Sequence, residues 1–218
     1  MMDKIAEDTT FDISSKKRNM IVGIGQLLLD NNFKPAFVAG FLANIMEEGK
    51  LGQFESSYYK TNPSDKPDYF DYLEENYDYI NTYSGENIMD IGIAKTKIIS
   101  DVSTAHDAKP RIGFGLGCVQ WTFLRTKTLV DYYEDVCRSD KPTLEECYEA
   151  EGKMIIHELK TGDYSSIYTD WKNAGNDKDA YEAGRMLCIR YESPASGSAK
   201  ARKRAELAKE VYNIMIAD

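Results

Sequence analysis

The chain has 218 residues, of which 42% are hydrophobic and 29% are charged, a composition typical of a folded globular protein rather than a disordered or fibrous one. Its 27 basic and 36 acidic residues give a formal net charge of −9, which argues against a binder of nucleic acid or of anionic membranes. Five basic residues cluster near the carboxyl terminus and are expected on the solvated face of a terminal helix: Lys200, Arg202, Lys203, Arg204 and Lys209.

Targeting and metal-binding signals are not expected. The first ten residues contain three acidic side chains and no apolar core, so we expect no secretory signal peptide. No stretch approaches the roughly 18 apolar residues of a membrane helix, so we expect no membrane insertion. The four cysteines form no C-x-x-C pair, and because metal ligands cluster at short spacing we expect no metal and no cofactor. The thiols are expected to be buried and reduced, with a Cys137–Cys147 bridge left open.

Two helices are predicted near the amino terminus. Apolar residues recur at three- and four-residue steps between Met20 and Leu28, which predicts an amphipathic helix over about 15–31. Pro35 suits the first turn of a second helix. We expect this second helix to run to about Glu48 and to stop at Gly49, a residue type common at helix ends.

The middle of the chain differs in composition from its two ends. Residues 49–110 are rich in Tyr, Asn, Ser, Asp and Pro, although helical spacing of apolar residues predicts a helix over 88–103. Helical patterns return over 122–137, 143–159, 177–190 and 198–216, and Thr143-x-x-Glu146 predicts a capping box. We therefore predict a mainly α protein: one domain over 1–218, with 50–112 as an inserted lobe beside a cleft.

The end of the second helix carries a candidate general acid. At about 100° per residue, Glu48 lies within about 20° of both Phe37 and Phe41 around the helix axis. Burial on that face and the negative end of the helix dipole both disfavour an ionised carboxyl, as a general acid requires. Its neighbour Glu47 lies over small residues, and periodicity alone does not decide between the two glutamates or exclude a solvated helix end for both.

A glycine-rich run offers a second candidate element. Gly113, Gly115 and Gly117 alternate, which in an extended strand removes the side chains from one face and lets a ligand approach the backbone. A tight bend packed under another element is the alternative. Gln120 can pair with hydroxyl or amide groups, and Trp121 offers either a stacking face or a core anchor.

Three short motifs follow one another along the chain. The segment 38–49 contains Gly40-x-x-x-Asn44-Ile45-x-x-Glu48-Gly49. The segment 115–122 reads Gly-Leu-Gly-Cys-Val-Gln-Trp-Thr, and 191–195 reads Tyr-Glu-Ser-Pro-Ala ahead of a basic helix. Together these motifs resemble those of the phage tail-lysozyme family, within the lysozyme-like superfamily, whose helix motif ends in a catalytic glutamate.

The resemblance implies an α+β lysozyme-like catalytic domain with a short glycine-rich strand beside the active-site cleft. It implies a muramidase that cleaves the MurNAc–GlcNAc bond of peptidoglycan in Gram-positive walls, with Glu48 protonating the glycosidic oxygen. The protein would act in a phage virion tail or be released to the cell wall, with glycan strands and other tail or baseplate proteins as partners. The candidate substrate-binding residues are Asn44, Tyr58, Gly115, Gly117, Gln120 and Trp121.

The second carboxylate is less defined by the sequence. Glu55 is the nearest acid after the helix motif and could act as a base for water or stabilise positive charge. Asp65 and Asp71 are alternatives, and a surface hydrogen-bonding role beside Ser56 and Ser57 is another interpretation of Glu55.

Three other functions fit parts of the sequence. A lytic transglycosylase would use the same glutamate without water. A cysteine peptidase or amidase would pair Cys118 with His157 or His106. A tail module or wall-binding domain without catalysis would use neither arrangement.

Overall fold

The computed structural model describes residues 1–55, 85–90, 115–122, 124–139, 141–175, 177–192 and 197–217, the first two residues of the last range by their backbone alone. The chain divides into two compact units, one formed by Met1–Glu48 with Ile155–Asp218 and the other by Gly49–Met154. The second unit begins beside the predicted start of the lobe and extends well past its predicted end at residue 112.

Helices dominate both units of the described chain. In chain order they are α1 (Met2–Glu7), α2 (Ser15–Asp30), α3 (Pro35–Ile45), α4 (Leu124–Val136), α5 (Leu144–Lys160), α6 (Ser165–Asn173), α7 (Ala180–Leu187) and α8 (Gly197–Ile216). A π-helical turn, Cys188–Glu192, continues α7. The predicted helices over 15–31, 122–137, 143–159 and 198–216 are confirmed, with small shifts at their ends.

Helix α3 is the central helix of the first unit. Every residue from Ala36 to Ile45 is buried, as expected for a helix that is apolar on all sides. Glycines let α3, α7 and α8 pack closely. A Cβ atom on Gly40 of α3 would lie 2.6 Å from the Cβ of Ala183 of α7. A Cβ atom on Gly184 of α7 would lie 2.8 Å from that of Ala208 of α8.

The predicted end of α3 is wrong by one turn. The helix ends at Ile45, and the N–H groups of Glu47 and Glu48 then donate to carbonyls three residues earlier, Asn44 O at 3.1 Å and Ile45 O at 3.2 Å. This tighter winding turns more than 100° per residue. The direction of the Glu48 side chain therefore does not follow from the positions of Phe37 and Phe41.

An aromatic cluster packs against α3 in the first unit. The ring of Phe37 contacts Tyr168 and Trp171 of α6, with centroid distances of 4.8 and 5.3 Å, and Phe41 contacts Tyr191 at 5.7 Å. Helix α6 was not predicted, although Ile167 and the fully buried Trp171 lie four residues apart on its inner face. These rings form an aromatic part of the core beside α3.

The glycine-rich segment forms a turn in the second unit rather than the predicted extended strand. Leu116 and Trp121 exchange main-chain hydrogen bonds of 3.0 and 2.9 Å, and between them Gly117 and Gln120 adopt positive φ angles of 85° and 56°. In the described residues, strand pairing is limited to isolated bridges: this one, Gln53 with Asn87 and Phe54 with Leu116. Gly113 and nearly all of the helix predicted over 88–103 lie outside the described residues.

Two smaller predictions concern the start of α5 and the cysteines. The capping box is confirmed, because Thr143 N–H donates to Glu146 Oε2 at 2.9 Å and Glu146 N–H donates to Thr143 Oγ1 at 3.2 Å. All four cysteines are buried free thiols, so the Cys137–Cys147 bridge that the sequence left open is not formed.

Candidate active site

Glu48 lies on the turn that follows α3, and both its main chain and its side chain are held. Lys17 Nζ of α2 donates to the carbonyl oxygen of Glu48 at 2.7 Å. Arg204 Nη2 of α8 donates to Glu48 Oε1. The Glu48 side chain is 23% exposed and that of Arg204 only 4%. The carboxyl is thus anchored from one side while part of it stays accessible.

Asn44 connects the helices around Glu48. Its Oδ1 accepts from Arg204 Nη1 at 3.1 Å, and its Nδ2 donates to the carbonyls of Gly40 at 2.8 Å and Gly184 at 3.1 Å. The residue is 1% exposed. The structure therefore brings two candidates, Asn44 and Glu48, onto one guanidinium, and it commits the Asn44 amide to protein partners.

Arg204 is a member of this site that the sequence analysis missed. It was grouped with the solvated basic residues of the last helix, but it is 3% exposed. It falls on the buried stripe of α8, whose other members are Ala201, Ala205, Ala208, Val211 and Met215. The sequence feature that could have revealed this role is the spacing of Arg204, which places an arginine among the apolar positions of the helix. Burial opposes its charge, but the carboxylates of Glu48 and Glu192 raise the pKa of Arg204.

Glu47 makes the corresponding exposed contact. Its Oε2 accepts from Lys203 Nζ at 2.9 Å, and the two side chains are 37% and 69% exposed. The adjacent glutamates therefore pair with adjacent basic residues of α8, one pair in solvent and the other buried on its arginine side. This difference in burial distinguishes Glu48 from Glu47, which periodicity alone could not do.

Glu55 belongs to the second unit and is tied to the glycine turn. Its N–H donates to Gly115 O at 2.8 Å, and Gly115 N–H donates back to Glu55 Oε2 at 2.8 Å. Burial raises the pKa of the Glu55 carboxyl, and the hydrogen bond from Gly115 opposes that change. Tyr58, Asp65 and Asp71 lie outside the described residues.

The glycine turn is filled by the protein's own side chains. Gln120 Nε2 donates to Gln53 O at 3.0 Å and to Gly117 O at 2.9 Å. A Cβ atom on Gly117 would lie 2.8 Å from the ring of Trp121, and one on Gly115 would lie 3.1 Å from Gln120 Oε1. Trp121 is fully buried, as a core anchor is. The structure thus brings Gly115, Gly117 and Gln120 into one turn of the second unit.

A buried carboxyl that sequence reasoning missed holds this turn. Glu151 of α5 is fully buried and accepts from Gly52 N–H at 2.6 Å, Cys118 N–H at 2.7 Å and Tyr133 OH at 2.7 Å. Burial raises its pKa and these hydrogen bonds oppose the change. The available signal was an acid at core spacing, four residues after the buried Cys147 and three before the buried Met154.

Other chemistry has less support among the described residues. Cys118 is fully buried, unlike the accessible thiols that act as nucleophiles. Within the described ranges, no group of at least three His, Cys, Asp or Glu side chains could hold a metal ion. Nor does any described helix combine the length and apolar character needed to span a bilayer.

The mainly helical fold, in which a buried apolar helix leads into a turn that bears an anchored carboxyl, is consistent with a lysozyme-like fold. The family model for phage tail lysozymes matches residues 21–215, and the chain belongs to this family. We found no matching curated protein and no matching solved structure. Family membership associates the chain with peptidoglycan hydrolysis by a glycosidase, and with action in the virion or at the cell wall.

Proposed function

We propose that the protein is a muramidase that cleaves the MurNAc–GlcNAc bond of Gram-positive peptidoglycan, with Glu48 as its general acid. The observation that carries this proposal is the state of the Glu48 carboxyl, which is fixed by Arg204 yet 23% exposed. A general acid needs a defined direction and access to the oxygen that it protonates. Glu47 has neither burial nor a buried partner, which supports Glu48 as the acid.

The acid step follows from ordinary glycosidase chemistry. Protonated Glu48 gives its proton to the glycosidic oxygen while positive charge develops on the anomeric carbon. The bond pair stays with the departing oxygen, water supplies the new hydroxyl group on the anomeric carbon, and the proton that water loses passes to the second carboxylate. Glu48 is then left as a carboxylate.

Glu55 is proposed as the second carboxylate. Its Oε2 is fixed by Gly115 N–H, which holds the carboxyl in one orientation. It would act either as the base for the attacking water or as a stabiliser of the oxocarbenium-like centre. Gly115, Gly117, Gln120 and Tyr58 remain the proposed sugar-binding residues. The buried Trp121 is proposed to support them through the packing of the turn, and the buried Asn44 is proposed to act through Arg204.

The proposal places the enzyme in a phage tail or at the host wall after release. Glycan strands are its substrate, and other tail or baseplate proteins are its proposed neighbours. These assignments rest on family membership.

The deciding experiment compares Glu48→Gln with Glu47→Gln on purified Gram-positive sacculi. We expect the wild type and Glu47→Gln to release soluble muropeptides, and Glu48→Gln to be slower by about a hundredfold or more. Mass spectrometry should show reducing MurNAc ends, whereas products lighter by one water would identify a transglycosylase.

Three outcomes would contradict the proposal. Equal rates for the two glutamine variants would remove Glu48 from the chemistry. A wild type that is inert on several kinds of sacculi would favour a tail module without catalysis. Activity that survives Glu48→Gln but not Cys118→Ser would favour a peptidase or amidase.

A further inference from the structure

Arg204 is a buried cation whose two terminal nitrogens donate to different partners. Its Nη2 donates to the Glu48 carboxyl, and its Nη1 donates to Asn44 Oδ1 at 3.1 Å. A buried charge is costly unless it is paired and hydrogen-bonded, and here both requirements are met. These contacts therefore hold the guanidinium in one position.

Asn44 supplies the second point of support. Because its amide also donates to Gly40 O and Gly184 O, on α3 and α7, its oxygen faces Arg204 in a set direction. A planar guanidinium can contact the amide and the carboxyl together, whereas a lysine ammonium is a point charge at the end of a flexible stem. The positions of α3, α7 and α8 therefore together fix the position of the Glu48 carboxyl.

We infer that Arg204 is the positioning residue of the acid step: it orients the Glu48 carboxyl and stabilises the carboxylate that remains after the proton has left. This inference rests on the proposed function. The proton passes from Glu48 to the glycosidic oxygen, and the C–O bond pair stays with that oxygen. Water then adds to the anomeric carbon, and its surplus proton goes to a carboxylate. A cation placed where negative charge develops favours the transition state over the ground state.

The same cation lies beside Glu48 in the resting enzyme as well as in the transition state. Loss of Arg204 should therefore lower the maximal rate and displace the alkaline limb of the pH profile, because the electric field at the proton-donating carboxyl changes. A residue needed only for folding would not move that limb.

Other charged or titratable groups surround Glu48 in this unit. Lys17 approaches from α2 and contacts the Glu48 carbonyl. Cys188 and Glu192, of the π-helical turn, interact electrostatically with the same groups: Cys188 with Glu48 and Arg204, and Glu192 with Arg204. Glu192 is thus a second carboxylate that interacts with the Arg204 guanidinium. None of these groups changes in the comparison below.

The test measures kcat/KM against pH on purified sacculi for the full-length wild type, Arg204→Gln, Arg204→Lys and the matched control Lys203→Gln. Lys203→Gln removes one positive charge from the neighbouring, exposed position. We expect Arg204→Gln to lose about tenfold or more of its maximal rate, with its alkaline limb displaced from that of the wild type. Arg204→Lys should have a reduced maximal rate with the alkaline limb of the wild type. Lys203→Gln should match the wild type in both its maximal rate and its alkaline limb.

An alkaline limb in folded Arg204→Gln identical to that of Lys203→Gln would overturn the inference. If Arg204→Gln does not fold, a wild-type rate in Arg204→Lys would overturn it, because the charge alone would then suffice. If Glu48→Gln is inactive while Arg204→Gln behaves like the wild type, the inference fails and the proposed function stands. If the wild type is inactive, both fail.

Discussion

Glu55 and Gly115 hydrogen-bond to each other twice, once between main chains and once from the Gly115 N–H to the Glu55 carboxylate, each at 2.8 Å. This reciprocal contact fixes a half-buried carboxyl directly against the glycine turn. It connects an acid of the second unit directly to the proposed sugar-binding segment.

Substitution of Glu55 tests its role as the second carboxylate. Glu55→Gln should lower kcat by about a hundredfold or more, because a neutral amide can neither accept a proton from water nor stabilise positive charge. The control is Glu86→Gln, an exposed carboxylate in the same unit. An active Glu55→Gln would transfer the role to Asp65 or Asp71, whose asparagine variants would then be inactive.

The pH dependence of that activity follows from the burial of Glu55. A base must be ionised, and burial raises the pKa of this carboxyl above its ordinary value of 4.5. Activity should therefore fall as pH drops through a value above 4.5, and in Glu55→Gln the residual activity should lack this acid limb. A limb retained in that variant would belong to another group.

Glu151 should contribute more to stability than an exposed glutamate of the same helix. In Glu151→Gln at least one of the donors that face the carboxyl meets an NH₂ group instead of an oxygen, which should cost about 1–3 kcal/mol of unfolding free energy. The matched control is Glu149→Gln, whose side chain is 52% exposed and paired with Lys153. Its cost should stay within about 0.5 kcal/mol in urea denaturation. Equal costs would contradict the role of the Glu151 contacts.

Two glycines with similar backbone conformations allow the cost of backbone strain to be measured separately from the cost of side-chain crowding. Gly117 and Gly175 have φ angles of 85° and 78°, but a Cβ atom would clash with Trp121 and Glu151 only at Gly117 and would meet nothing within 4 Å at Gly175. Gly175→Ala should cost about 1–2 kcal/mol from the left-handed conformation alone. Gly117→Ala should cost about 1–3 kcal/mol more through overpacking. Similar unfolding midpoints for the two variants would contradict the tight packing of the turn.

The capping box gives a prediction that does not depend on catalysis. Thr143→Ala should lower the unfolding free energy by about 1 kcal/mol, because Glu146 N–H loses its acceptor. Thr128→Ala removes the same hydroxyl from an exposed position inside α4, where alanine has the better helix propensity. It should be neutral or slightly stabilising, and a larger loss there than at Thr143 would contradict the assignment of the cap.

Periodicity predicted the long amphipathic helices well because burial of one face decides where they form. It failed at the end of α3, since nothing local distinguishes an α turn from the tighter turn over Glu47 and Glu48. Helix α6 was missed because it is short and its inner face carries few apolar residues. Such features depend on contacts made elsewhere in the chain.

The site was partly predictable for a similar reason. Motif spacing suggested Glu48, Glu55 and the glycine-rich segment as candidates, because each lies in or close to a short motif. Arg204 and Glu151 act on those segments from residues far away in the chain, 156 positions from Glu48 and 33 from Cys118. A charged residue at core spacing on an amphipathic helix was the only local sign of either one.

The four buried free thiols have a consequence for where the protein can fold. A chain that gains no stability from cross-links does not need an oxidising compartment, so it can reach its native state among the thiol reductants of a bacterial cytosol. Dithiothreitol should accordingly leave its melting temperature unchanged. Folding of this chain therefore does not depend on an oxidant.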